Sequence, residues 1–309
     1  RQVKPKAIVI LETELWPNFL MGAKKRDIPV LLLNGRISEH SFRGYRRVRG
    51  LFTRALEGVV AAAMQSEEDR GRIISLGLKP ERAFVTGNLK FDSLESTGTR
   101  PSVDGSLGNR LRDVDLFIAG STHRGEEEII LDAFLRILRS RPGVRLLLAP
   151  RHLERIDEVA SLMSRAGVSY VKRTELDSPQ VQSGGRPSLP EIILLDTMGE
   201  LAGLYSFGRA IFVGGSLVPQ GGHNVLEPAL EGKAVFFGPY MESFKEARDL
   251  LLSSGGGIVV RNSGDIQKEV LRAIEDPEEY SRKGALAREA ICRRRGAAQK
   301  DISLLEQYL

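Results

Sequence analysis

Short apolar runs alternate with amphipathic segments along most of the chain. The apolar runs predict strands at residues 7–11, 29–33, 59–63, 83–87, 116–120, 144–149, 192–195, 210–214 and 234–238. Apolar residues at helical spacing predict helices between them, such as 126–139, 153–166 and 243–252. Continuous apolar strands that alternate with helices are typical of parallel sheets covered on both faces. The pattern therefore predicts an α/β protein.

The 309 residues are enough for two such domains. Residues 93–109 are rich in Ser, Gly, Thr and Pro and predict a linker, and a second polar stretch, 178–190, predicts a surface loop. We therefore expect Rossmann-like domains at 1–92 and 110–295, with sheets facing a cleft where ligands bind beyond the strand ends. The helix at 296–309 is a candidate to pack back on the first domain. Since the chain enters a buried-type strand almost at once after Arg1, we expect this first domain to be incomplete.

Charge and cysteine content narrow the classes of function. The net charge is +5, which favours anionic partners such as phosphorylated substrates, nucleic acid or an acidic membrane surface. The single cysteine, Cys292, excludes a disulfide within the chain, and the four histidines show no metal-ligand spacing. No apolar run reaches the ~18–20 residues that a membrane span needs, so we expect no membrane-spanning segment. We also expect no bound metal or cofactor.

A basic stretch between residues 43 and 54 is the main candidate surface for such partners. It interleaves aromatic residues with Arg43, Arg46, Arg47, Arg49 and Arg54. The stretch could bind nucleic acid, lie against anionic lipid, or simply be a solvated helix face. Because no nucleic-acid motif accompanies it, lipid or a phosphorylated acceptor ranks above nucleic acid.

Charged residues follow two predicted strands of the first domain. Glu12 directly ends the run 7–11, where it would point into the cleft or pair with an arginine such as Arg36. Lys90 follows the run 83–87, where a lysine could hold a phosphate or neutralise a leaving group, or could be merely solvated.

Polar residues and glycines also follow the strands of the second domain. Ser121 and Thr122 could meet a phosphate or act as a helix N-cap, and Arg151 could grip a phosphate with its fork of donors. Gly199 permits close approach of its backbone to a ligand just before a predicted helix. The glycine-bearing segment Gly214, Gly215, Ser216, Gly221 and Gly222 would let the backbone touch a phosphate, and the helix N-terminus that follows would add a partial positive charge. Glu227, three residues after Asn224, could accept bonds from ribose hydroxyls or belong to a capping box.

A series of motifs in one order resembles the bacterial Kdo (3-deoxy-D-manno-octulosonic acid) transferases, a GT-B glycosyltransferase family. The motifs are Leu-Glu-Thr-Glu-Leu-Trp-Pro-Asn at 11–18, Thr-Gly-Asn-Leu-Lys-Phe-Asp at 86–92, Ala-Gly-Ser-Thr-His at 119–123, Ala-Pro-Arg-His at 149–152, Asp-Thr-Met-Gly-Glu at 196–200, Phe-Val-Gly-Gly-Ser at 212–216 and Gly-Gly-His-Asn-Val-Leu-Glu at 221–227. Together they cover nearly the whole chain, which makes the series specific although no single member is.

The resemblance implies transfer of Kdo from CMP-Kdo to a lipid A precursor, with inversion and without metal, at the cytoplasmic face of the inner membrane. It implies that Glu12 and Lys90 stabilise the transition state. It also implies a CMP site made of Pro150, Arg151, Met198, Gly199, Glu200, Asn224, Val225, Leu226 and Glu227. Family members carry their general base in an upstream Ser-Val-Gly-Glu-like loop, which this sequence lacks, so we expect a truncated chain. Two alternatives stay open: a nucleotide-sugar epimerase of the same architecture, and a basic nucleic-acid-binding protein without catalytic activity.

Overall fold

The chain forms two units, each built around its own parallel β-sheet. This computed structural model describes residues 4–12, 15–92, 105–176 and 189–308. The first unit combines residues 1–96 with residues 292–309, and the second comprises residues 97–291. All pairings between strands are parallel in both sheets, so the predicted α/β class is confirmed.

The elements follow the alternation expected from the sequence. The strands are β1 (Ile8–Leu11), β2 (Val30–Gly35), β3 (Val59–Met64), β4 (Ala83–Val85), β5 (Leu116–Thr122), β6 (Arg145–Pro150), β7 (Tyr170–Lys172), β8 (Ile192–Leu194), β9 (Ala210–Val213), β10 (Val235–Phe237) and β11 (Gly257–Val259). The helices are α1 (Pro17–Lys24), α2 (Glu39–Arg47), α3 (Arg49–Leu56), α4 (Glu67–Ser75), α5 (Gly105–Leu111), α6 (Glu126–Ser140), α7 (Ile156–Ala166), α8 (Leu201–Leu204), α9 (Leu226–Leu230), α10 (Lys245–Ser254), α11 (Ser263–Glu275), α12 (Pro277–Cys292) and α13 (Ala297–Glu306).

The first unit has a four-stranded sheet in the order β1-β2-β3-β4. One face packs on α1, α3 and α4 through a core that includes Leu20, Phe52 and Ile73. On the other face, α13 places Leu304 against Leu31 and Ala61. Because each strand alternates its side chains between the faces, the continuous apolar runs of β2 and β3 serve both cores.

A single carboxylate fixes the start of α13. Asp92 accepts the backbone N–H groups of Gly296 and Ala298, each at 2.7 Å. These groups lie at the helix N-terminus, where N–H groups have no partner within the helix and a negative charge is favoured. Asp92 therefore caps α13 from a distant part of the sequence.

The second unit has a seven-stranded sheet in the order β11-β10-β9-β5-β6-β8-β7. Helices α6, α7 and α11 cover one face, with Phe117, Phe134 and Phe212 among the buried residues. From β5 the chain first adds β6, β7 and β8 on one side of the sheet. It then returns to the other side of β5, where it adds β9, β10 and β11. The reversal between β5 and β9 is the topological switch point at which open α/β sheets bind ligands.

Some elements differ from the sequence-based expectations. Strands β7 and β11 were not predicted, because a lysine in β7 and a glycine in β11 interrupt the apolar run. Helix α5 occupies the end of the segment predicted as linker, while residues 93–104 of that segment lie outside the described ranges. Most of the predicted loop 178–190 also lies outside them.

Candidate functional site

The carboxyl ends of β5, β6 and β9 lie side by side in the second unit. Strand β5 pairs with β6 on one side and with β9 on the other, all parallel, so their carboxyl ends share one edge of the sheet. His123 follows β5, Arg151 follows β6 and Gly215 follows β9. The predicted strand-end residues of this unit thus share the edge that carries the switch point.

Arg151 is exposed at the end of β6. Its backbone N–H donates to the Thr122 carbonyl at 2.9 Å, which continues the pairing with β5 beyond the strand. Its guanidinium acts electrostatically on the Glu227 carboxylate and lowers the pKa of the His223 imidazole. Arg151 and Glu227 are therefore near one another, at an edge where a bound anion and a bound sugar could each find a partner.

Glu227 is half-buried and bonded to a neighbouring side chain. Burial raises the pKa of its carboxyl group, and the bond that Asn224 Nδ2 donates to its Oε1, at 3.0 Å, works in the opposite direction. Asn224 Oδ1 accepts the Leu226 N–H at 3.1 Å. The Glu227 carboxylate is bonded to the side-chain amide of Asn224 and not to the Asn224 backbone N–H. The pair therefore does not form the capping box considered from the sequence.

The turn that follows β8 presents residues 198–200. Gly199 has a left-handed φ of 86°, and the Met198 side chain is 75% exposed. Glu200 is bonded to the Thr197 hydroxyl and pairs with the buried Arg173 at 3.2 Å. Glu200 therefore has internal partners, whereas Met198 is open to a ligand.

Three other residues of the predicted CMP set turn away from solvent. The buried ones are Pro150, Val225 and Leu226. The Leu226 N–H is already donated to Asn224. These residues could meet a ligand only through their remaining backbone atoms.

Glu126 binds the loop after β9 and was not identified from the sequence. Its carboxylate is fully buried and accepts four backbone N–H groups, two on each oxygen. Oε2 accepts from His123 at 2.9 Å and Gly215 at 2.7 Å, and Oε1 accepts from Ser216 at 2.9 Å and Leu217 at 2.8 Å. It sits in a run of three glutamates that looks like an ordinary acidic helix start, so only the fold reveals its role.

Gly214 is required by the close approach of the two loops. A Cβ atom there would lie 2.5 Å from the Ser121 carbonyl oxygen and 2.8 Å from Glu126 Oε2. Ser121 itself has a left-handed φ of 56°, which is uncommon for a residue with a side chain. Strain of this kind, about 1–3 kcal/mol, is concentrated at functional sites.

Several groups predicted to donate to a phosphate at this edge already have partners within the protein. The N–H of Gly214 donates to Gly120, that of Gly222 to Gly215, and those of Gly215 and Ser216 to Glu126. The Thr122 hydroxyl is buried and donates to Glu127. These predicted phosphate donors are already used inside the protein, because each buried N–H must find a partner as the loops close. Helices α8 and α9 are also short, at four and five residues, which weakens the expected helix dipoles.

Two histidines meet at the switch point. The Nε2 atoms of His123 and His223 are 2.7 Å apart, and the planes of the rings differ by 9°. The exposed His152 contacts the His123 ring edge-on, with centroids 5.4 Å apart. The two residues of the pair are 100 positions apart in sequence, so no local motif could have linked them.

In the first unit, Glu12 and Lys90 follow the two edge strands of the sheet. Both are exposed, and Glu12 has a left-handed φ of 61°. The Glu12 N–H donates to Leu33 of β2 at 3.0 Å, and the Leu89 N–H reaches the Asn34 side chain of the same strand at 3.1 Å. The turn bearing Lys90 therefore folds back across the sheet, to the strand next to Glu12.

Helices α2 and α3 carry the basic stretch on their outer side. Its five arginines are exposed, whereas Phe42 and Tyr45 pack against the core and Phe52 is buried in it. A depression of about 500 Å³ is lined by Glu39, Phe42 and the three arginines of α2. The surface is thus basic, and most of its aromatic rings are not presented for base stacking.

Metal-binding and membrane-spanning elements were also sought in the described ranges. Within them, no three or more His, Cys, Asp or Glu side chains are grouped as metal ligands would be. Nor is any helix in those ranges both long and apolar enough to cross a bilayer.

Comparison with known proteins gives the family. Residues 1–93 match the family model described as 3-deoxy-D-manno-octulosonic-acid transferase (kdotransferase). A protein of Haemophilus influenzae named 3-deoxy-D-manno-octulosonic acid transferase is 32% identical over 308 residues, which cover 99% of this chain and 70% of that protein. The chain belongs to the Kdo transferase family. A bifunctional glycosyltransferase/methyltransferase of Fusobacterium nucleatum is 37% identical, and the match covers 90% of this chain but only 41% of that protein.

Solved structures agree with membership of the Kdo transferase family. The C-terminal CMP-Kdo binding domain of WaaA from Acinetobacter baumannii is 28% identical, with a TM-score of 0.55, covering 60% of this chain and 94% of that one. The UDP-GlcNAc 2-epimerase of Neisseria meningitidis has a TM-score of 0.62 over 98% of this chain and 75% of its own, at 15% identity. The second likeness shows the fold alone, and the fold is GT-B, as the sequence predicted.

Proposed function

We propose that this protein transfers Kdo from CMP-Kdo to a lipid A precursor, with inversion and without a metal ion, in lipopolysaccharide synthesis. Two observations support the proposal. The chain belongs to the Kdo transferase family, and 60% of it is similar to a domain of the Acinetobacter baumannii protein described as CMP-Kdo binding. The reaction would take place at the cytoplasmic face of the inner membrane.

The proposal rests on the placement of Arg151 after β6, at the edge that carries the switch point, and on the electrostatic interaction of its guanidinium with Glu227. A cytidylate has an anionic phosphate at one end and ribose hydroxyls near the other. Arg151 would bind the anion, since its guanidinium is always charged, and Glu227 would accept the ribose hydroxyls. Met198 and the Gly199 backbone would line the nucleoside, with Asn224 holding the Glu227 carboxylate in place.

Glu12 and Lys90 would act on the sugar and its leaving group. As the bond between Kdo and the phosphate breaks, negative charge develops on the phosphate, and a lysine ammonium can stabilise it. Glu12 has a left-handed backbone, a strain that is concentrated at functional sites, and its carboxylate could stabilise positive charge on the sugar ring. We assign Glu12 this electrostatic role and not that of the general base.

The basic surface of α2 and α3 would hold the acceptor or its membrane. Lipid phosphates are anionic, and each basic residue near an anionic surface contributes about 1 kcal/mol. Replacing Arg46 and Arg47 with alanine should therefore weaken binding to phosphatidylglycerol vesicles about 10- to 30-fold at low salt. The matched control replaces the exposed Arg112 and Arg165 of the second unit. Equal losses in both double variants would mean that only net charge matters.

The proposal is tested first by nucleotide binding and then by product analysis. Calorimetry should show that the chain binds CMP and CMP-Kdo. A transfer assay with CMP-Kdo and a lipid A precursor, run on the full-length protein with the Haemophilus influenzae relative as positive control, should release CMP only when the acceptor is present. Failure to bind CMP would refute the site. Conversion of the donor without acceptor would instead support the epimerase alternative.

A further inference from the structure

The phosphate of a nucleotide at the switch point needs hydrogen-bond donors, and several N–H groups of the glycine loop are already used within the protein. The N–H groups of Gly215, Ser216 and Leu217 are already donated to Glu126. At the adjoining strand ends, Arg151 and the imidazoles of His123 and His223 are only partly buried or exposed. The two rings lie on the loops that follow β5 and β9, so they flank the switch point from both sides.

The contact between the rings fixes how their protons are arranged. Their centroids are 5.0 Å apart and their nitrogen atoms only 2.7 Å apart, so the rings meet nitrogen to nitrogen. In a neutral pair one Nε2 carries the proton and the other accepts it. The accepting ring then carries its proton on Nδ1, while Nδ1 of the donating ring is a bare lone pair. One added proton makes both Nδ1 atoms donors and gives the pair a positive charge.

We propose that His123 and His223 form a phosphate-binding pair, which takes up one proton from solvent when a nucleotide phosphate dianion binds beside it. The ligand class is a phosphate monoester such as that of CMP, and the inference rests on the proposed function of the same site. The neutral pair would set a lone pair against the phosphate oxygens. The protonated pair instead offers donors and a compensating charge.

The surroundings of the pair keep it neutral until an anion arrives. Burial lowers the pKa of both imidazoles, and that of His223 falls to about 4. Neighbouring basic groups lower both pKa values further. The groups that face the pair are His152, Arg151, Arg155, Glu127 and Glu126. Only the Glu127 carboxylate acts to raise the pKa of His123, and it is already paired with Arg155 at 2.9 Å. A phosphate dianion would supply the missing negative charge.

This arrangement favours the product side of the proposed transfer. When the bond between the sugar carbon and the phosphate oxygen breaks, the electron pair stays on the oxygen and the phosphate gains one negative charge. A pair that becomes protonated beside a dianion stabilises the leaving group more than it stabilises the donor, which is the condition for lowering the barrier.

The test is calorimetry of CMP binding to the wild-type chain at pH 7.5, in HEPES and in Tris. At this pH the CMP phosphate is already a dianion, since the second pKa of such groups is about 6. The difference in heat between the buffers counts the protons, and we expect an uptake of about one. The count needs no variant, so it does not depend on whether a substituted loop still folds. Binding without proton uptake would overturn the inference while leaving the CMP site intact.

Variants give the second readout. The double substitution His123→Gln and His223→Gln should weaken CMP binding about 10- to 100-fold and abolish proton uptake, because charge-assisted bonds are lost. Binding of cytidine, which has no phosphate, should change less than about twofold. The matched control is His40→Gln on α2 of the first unit, which should leave both values unchanged. Unchanged CMP affinity in the double variant would refute the pair, whereas a wild-type chain that binds no CMP would refute the proposed function.

Discussion

The Glu126 carboxylate offers the sharpest test of how the loops at the switch point are held. Substitution Glu126→Gln keeps the size and shape of the side chain but replaces one oxygen with an amide NH₂. In the native protein each oxygen accepts two backbone N–H groups. In either orientation of the glutamine, two N–H groups therefore face another donor.

The size of the effect follows from the number of bonds. A buried donor left without a partner costs about 1–3 kcal/mol, so two of them cost about 2–6 kcal/mol. The side chain is fully buried, so water cannot replace the lost acceptor without opening the loop. Since a domain of this size is stable by only about 5–15 kcal/mol, the loss would be a large share of the total.

Two measurements check this expectation. Denaturant unfolding followed by circular dichroism gives the change in the free energy of unfolding, and amide hydrogen exchange reports opening of Gly215, Ser216 and Leu217 directly. The control is Glu128→Gln, two residues along α6, where an exposed carboxylate accepts one N–H from Gly125 at 3.1 Å. It should cost less than about 1 kcal/mol. If Glu126→Gln cost no more than this control, with unchanged exchange, the carboxylate would not be what holds the loop.

Three further predictions concern other residues of the two units. Glu227→Ala should weaken CMP binding by about 1–3 kcal/mol in calorimetry, the range for an unmade bond to a charged group, and unchanged affinity would speak against its ribose role. In the full-length protein, Lys90→Ala should lower turnover far more than donor affinity, because it acts on charge that develops in the transition state; equal losses would mean that it only binds. Burial raises the pKa of the Asp301 carboxyl group, so its ionisation destabilises the fold, and stability is lost as pH rises above the ordinary carboxyl range through the raised pKa. Asp301→Asn should therefore be more stable than wild type at pH 7.5 in thermal unfolding, with the advantage disappearing towards pH 4; an advantage that does not vary with pH would exclude this cause.

The sequence predicted the elements that depend on local pattern. Continuous apolar runs identified nine strands, because each run is a signal within a few neighbouring residues. The positions of polar residues directly after the strands could also be identified from the sequence. Since parallel strands end at one edge, these positions brought attention to Thr122 and Arg151 as neighbours of that edge.

The parts that escaped prediction depend on contacts between distant segments. Glu126 was indistinguishable from an acidic residue of a helix start, yet three of its four partners lie about ninety residues away. Backbone N–H groups have no signature in a sequence, so a carboxylate that they surround cannot be told from a solvated one. For the same reason, the sequence could not reveal that N–H groups of the glycine loop are already bonded to Glu126. The loop was therefore expected to bind phosphate directly.

The docking of α13 has a consequence for how the protein is made. The first unit needs residues 292–309, which leave the ribosome only after the whole of the second unit. Until Leu304 arrives, the apolar face formed by Leu31, Leu33, Ala61 and Ala63 stays uncovered, and Asp92 lacks the helix that it caps. The nascent chain would then expose one apolar face of the first sheet while the second unit folds. Apolar surface exposed in this way promotes aggregation and is the reason that chaperones are needed.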